Sequence, residues 1–212
     1  MSAARVAPVP RTTRLSREER RASILGAATG AFATAGYGAT SINELAAAAG
    51  VTPLILYRHF ESKEHLYSEV IQQATQRQRS AVAAATDAQY GIDAAVLLSA
   101  AREDPAAFTV VWRHAVREPA FAKPTVQLRR FCADRVRASL VDQVEDELVR
   151  WAAEATVGYL IEAVLTWLDF GTPTYDRRFA EATDAAMRAG IRAWTKSPTT
   201  SPAVGGKSHD RR

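Results

Sequence analysis

Residues 41–71 read SINELAAAAGVTPLILYRHFESKEHLYSEVI. Two capping residues and a glycine divide the stretch into short helices. Ser41 with Glu44 forms a capping box, in which each side chain satisfies the other's backbone N–H. Ile42, Leu45, Ala46 and Ala49 then make one apolar stripe, and Gly50 ends the helix after about two turns. Thr52 caps a second helix with Pro53 at its first position, where a missing N–H costs nothing. Leu56 and Phe60 point that helix inward. The spacing predicts helices over 42–49 and 53–59 joined by a tight turn, a helix-turn-helix. Ala46 is small enough for the second helix to cross closely, and Gly50 tolerates the left-handed conformation a sharp turn needs. A helix so placed can lie in a DNA major groove while the preceding helix start faces phosphates. Leu54, Ile55, Arg58 and His59 are left for solvent or DNA, with Tyr57 at the flank. Ser62 caps a further helix bearing Leu66, Val70, Ile71 and Ala74.

Upstream, Ser16 and Glu19 form another capping box, and Ile24, Ala28, Ala31, Phe32 and Ala35 line one face up to Gly36. The chain has 212 residues, 47% apolar and 24% charged, enough to bury a core. It shows no membrane-length apolar run and no secretory signal. Its single cysteine, Cys132, cannot form an internal disulfide, so a cytoplasmic protein with no metal site is expected. The net charge of +4 is unevenly spread. Residues 1–15 (Arg5, Arg11, Arg14) and 196–212 each carry +3, and both read as disordered. Residues 16–63 carry +1 and 64–195 carry −3. A basic arm beside a DNA-reading module can hold phosphates.

The remainder is rich in alanine and helical periodicity, giving an all-α expectation of about nine helices. Asp104 and Pro105 open a helix over 104–118, followed by helices over 124–141, 145–170 and about 175–195. The 145–170 segment is apolar nearly all round and needs cover on several sides. Helices 145–170 and 175–195 are therefore expected to form a homodimer interface as a four-helix bundle. A monomeric bundle burying both faces internally is the alternative. Phe108, Trp112, Phe131, Tyr159 and Trp167 are candidates to line a small-molecule pocket, although such rings are usually plain core. There is no dinucleotide fingerprint, phosphate loop, zinc-protease helix or nucleophile elbow, and His114 is the one body histidine left for catalysis. Neither an enzyme nor a cofactor is expected.

The wider string from about Arg20 to Ile71 resembles the N-terminal DNA-binding domain of the TetR family of bacterial transcriptional regulators. The likeness rests on Ala28, Phe32, Gly36 and Tyr37, on Thr40–Ser41, Leu45–Ala46 and Ala49–Gly50–Val51–Thr52. It continues through Leu56–Tyr57, His59–Phe60, Lys63 and Leu66. The resemblance implies phosphate contact by Thr40 and Ser41, a backbone grip by Thr52, Tyr57, His59 and Lys63, and base-edge contact by Leu54, Ile55 and Pro53. Position 54 is usually small in the family. A Leu–Ile pair touches only apolar features such as thymine methyls, so readout leans on Arg58, Asn43 and DNA shape. The expected organisation is a DNA-binding domain over 16–63 and a ligand-binding and dimerisation domain over 64–195. The implied function is repression of a double-stranded operator, released when a small-molecule effector tilts the fourth helix. A DNA-binding protein with no effector and a helical protein-interaction module remain as alternatives.

Overall fold

The computed structural model describes residues 15–85 and 87–195. The basic residues Arg5, Arg11 and Arg14 and the tail from residue 196 lie outside them. Nine α-helices occur among the described residues: α1 (Arg17–Ala39), α2 (Ile42–Ala48), α3 (Pro53–His59), α4 (Lys63–Ala84), α5 (Ala94–Glu103), α6 (Pro105–Thr109), α7 (Lys123–Leu140), α8 (Asp146–Phe170) and α9 (Asp176–Ala193). The all-α expectation holds, and the boundaries follow the capping chemistry. Ser16 and Ser41 accept from Glu19 and Glu44 N–H in complete capping boxes. Thr52 accepts from Ile55 N–H, and Asp104 from Ala107 N–H. α2 ends in a Schellman turn, with Val51 N–H donating to Ala46 O (2.9 Å), Gly50 N–H to Ala47 O (3.0 Å), and Gly50 at φ 62°.

Two compact units emerge, one comprising residues up to Gln76 with Asp104–Thr125 and the other Arg77–Glu103 with Val126 onward. The division falls inside α4 rather than at residue 63. The segment 104–125, expected with the C-terminal half, belongs to the first unit. Its reason is hydrophobic: Val110 and Ala115 are fully buried in one cluster with Ile24, Phe32, Leu45, Leu56, Phe60 and Leu66. Phe121 packs edge-on to Tyr67 (5.0 Å) and beside Tyr37 (4.8 Å). After α6 this segment loosens into a π-turn over Val110–His114 and a 3-10 turn over Ala115–Arg117.

α1 does not stop at Gly36 but breaks there, at φ 75° and ψ 177°, and resumes to Ala39. The imidazole of His114 sits against the break, with Nε2 3.0 Å from Ala33 O. A Cβ added to Gly36 would lie 2.8 Å from His114 Nδ1.

The second unit is built from α5, α7, α8, α9 and the last turns of α4. Arg135 ties the α4–α5 connection to α7, donating to Gly91 O and Ala85 O (2.7 Å each). Arg102 makes a two-pronged pair with Asp176 (2.8 and 2.9 Å), which also accepts from the Trp167 indole N–H at 2.7 Å. Among the described residues no helix is long and apolar enough to cross a membrane.

Candidate nucleic-acid interface

The first unit places α3 with its core side down and its other side open. Leu56 and Phe60 are buried, whereas Thr52, Pro53, Tyr57 and Arg58 are exposed and Leu54 is 64% exposed. Ile55 is half-buried. Burial of one stripe anchors the helix and leaves the opposite stripe open. Ser41 and Asn43 are exposed at the start of α2, on the surface of the same unit.

Three other positions named by the resemblance are partly or wholly withdrawn from the surface. Thr40 is buried, and its hydroxyl donates to Gly36 O at 2.6 Å, closing the end of α1. The Lys63 ammonium donates to Thr40 O at 2.7 Å and lies 4.3 Å over the Tyr37 ring. Both side chains thus brace the entry to α2. Tyr37 in turn donates to Glu64, and burial together with that carboxylate pushes its hydroxyl up to about 12. His59 is half-buried, and its Nδ1 is sealed from solvent without a partner.

Around His59 the structure gathers cations that sequence reasoning passed over. Burial first, then the charges of Arg17, Arg21 and Arg20 on α1, hold its imidazole below the ordinary histidine value. Arg21 also pairs with Glu69 and lies 4.7 Å over the Phe60 ring. The nearness of Arg17, Arg20 and Arg21 to α3 is a tertiary fact. Together these side chains set positive charge beside α3.

The aromatic pocket candidates are distributed over both units. Phe108 and Trp112 are buried in the first unit, ring centroids 6.4 Å apart. The other three belong to the second unit. Phe131 lies under the Arg79 guanidinium at 4.0 Å, and Trp167 stacks on Phe179 at 4.6 Å. Tyr159 is 43% exposed on an outward groove of about 220 Å³ between α8 and α9, shared with Trp151, Met187 and Trp194.

A capped helix pair with an outward second helix, among described residues that form helices and no named strand, is a helix-turn-helix unit. Residues 24–70 match the family described as bacterial regulatory proteins, tetR family. The chain is 30% identical over 172 residues to the HTH-type transcriptional activator FasR of Mycolicibacterium smegmatis, covering 77% of this chain and 78% of that one. It is 42% identical over 60 residues to the HTH-type transcriptional regulator AcrR of Shigella flexneri, 28% of each. A TetR-like transcriptional regulator from a Rhodococcus species has the same fold (TM-score 0.69, 22% identity, 84% of this chain and 98% of that one). So has NalD, the secondary repressor of the MexAB-OprM multidrug efflux pump in Pseudomonas aeruginosa (TM-score 0.62, 21% identity, 82% and 95%). The chain belongs to the TetR family of DNA-binding transcriptional regulators.

Proposed function

We propose that this protein is a homodimeric, operator-bound repressor whose grip on DNA is released by a small molecule held in the second unit. The observation that carries the DNA half is the exposed face of α3, bearing Leu54, Tyr57 and Arg58 on a helix pinned by Leu56 and Phe60. Leu54 and Ile55 would touch base edges with Arg58 and Asn43 supporting the readout, while Thr52, Tyr57, Arg17 and Arg20 hold phosphates. A regulator acting in this way would work in the bacterial cytoplasm, where its operator is.

The dimer half is supported by the outer face of α8 and α9. Trp151 (52% exposed) and Trp194 (43%) pack on each other at 4.6 Å, beside Tyr159 and the small residues Ala155, Ala186 and Gly190. Large apolar rings on an open groove with small neighbours suit a second copy of the same helix pair. Two recognition helices then read half-sites about one DNA turn (~34–36 Å) apart. Release requires only that the effector favour one of two conformers.

The test is a fluorescence-anisotropy titration of the DNA upstream of its own gene at several salt concentrations. Salt-sensitive binding in the wild type, lost in Arg58→Ala, supports the reading, and no binding removes it. A reporter on that DNA should rise when the gene is deleted. A fall would make the protein an activator.

A further inference from the structure

The second unit carries a hollow of about 470 Å³ on the outer side of α7 and α8, unlike any of the aromatic sites expected. Its walls are Arg129, Arg130, Arg137 and Asp134 from α7 with Arg150 and Glu154 from α8, over a floor that includes Ala133 and Ala153. We propose that this hollow binds a small polyanion carrying two or more phosphate or carboxylate groups.

Four guanidinium groups face two carboxylates there, a surplus of two positive charges. Arg129 is fixed: its Nε donates to Glu154 Oε2 at 3.0 Å and its Nη2 to Glu154 O at 3.1 Å. It lies so close along α8 that a Cβ on Gly158 would stand 3.3 Å from Nη2. Three of its five N–H donors remain for a ligand. Asp134 serves both Arg130 (3.9 Å) and Arg137 (3.4 Å), so one carboxylate is spread over two cations at long range. Arg150 has no ion-pair partner among the described residues. Single exposed arginines of this kind are ordinary solvated charges. Four of them on two helices, walling one concavity of ligand size, are not. Guanidinium forks match the paired oxygens of phosphate and carboxylate, and several forks around one hollow select a multiply charged guest. The basic character is local: residues 64–195 are net acidic, yet α7 carries Lys123, Arg129, Arg130, Arg135 and Arg137 against Asp134 alone.

The regulatory consequence, that this polyanion is the effector, rests on the release mechanism proposed above, whereas the binding itself does not. Isothermal titration of the full chain at 0.15 M salt with inorganic triphosphate, citrate and acetate tests the binding. Triphosphate or citrate should bind and acetate should not, the preferred one identifying the anion class. Arg130→Ala with Arg150→Ala should weaken binding at least tenfold, and Arg150→Lys, which keeps the charge but loses the fork, should weaken it less. Arg58→Ala, on the DNA face, controls for polyanions that merely mimic DNA. Unchanged affinity in the double variant, loss that follows Arg58 alone, or no binding at millimolar concentration overturns the proposal. A second titration, of the anion into the protein–operator complex, separates the two ideas. Binding without release keeps the hollow and removes the effector role.

Discussion

At Gly36 two constraints meet on one residue. Its φ of 75° favours glycine, and the space a side chain would take is filled by His114. Gly36→Ala is expected to destabilise the protein by about 1–3 kcal/mol in urea unfolding, from backbone strain and displacement of the imidazole. Gly30→Ala, earlier in α1 with nothing within 4 Å of its new methyl, should instead stabilise by about 0.5–1 kcal/mol. His59 makes a pH prediction. The folded imidazole is held below its ordinary value of 6.5, chiefly by burial and then by Arg17, Arg21 and Arg20. The unfolded chain therefore takes up this proton first as pH falls. Stability from the neutral ring is present above about pH 6.5 and is lost progressively below it, toward the lower folded value. His59→Asn should flatten that part of the melting temperature against pH profile between pH 7.5 and 5.5. An unchanged profile would place the titration elsewhere.

Among the elements, α3 separates folding from reading most sharply. Leu56 is fully buried, so Leu56→Ala should cost about 2–5 kcal/mol of stability. Leu54 is mostly exposed, so Leu54→Ala should leave stability within about 0.5 kcal/mol while lowering operator affinity, a split that thermal melts and anisotropy resolve together. How much of this was legible beforehand depends on range. Helix starts are written locally, in Ser16, Ser41, Thr52 and Asp104, and the structure puts each cap where the sequence does. The open and closed sides of α3 follow from the same spacing. Contacts distant in sequence carry no such signature. That Lys63 turns inward to Thr40 O, that Arg17 and Arg20 stand near His59, and that the 104–125 segment joins the first unit depend on pairings across 20–80 residues. The excess of arginine on α7 was readable as composition but was masked by averaging over an acidic half.

For the whole molecule, the α8–α9 groove is the proposed seat of assembly. Replacing Trp151 and Trp194 together by glutamate puts two charges on the proposed interface, and sedimentation should then show a monomer. Operator binding should fall steeply at concentrations where the wild type is saturated, because a single head contacts only half a site. A dimer that survives the double replacement would move the interface away from these helices. The discontinuous first unit carries a last consequence for engineering. Because Val110, Ala115 and Phe121 complete the packing around α1 and α4, a reading head excised at residue 63, or even at 76, leaves behind part of its own interior. Grafting DNA specificity between such regulators calls for three crossover points, one after α4's first half and two bracketing 104–125. A single splice would yield a head with its greasy flank open to water, prone to clumping before it ever met a promoter.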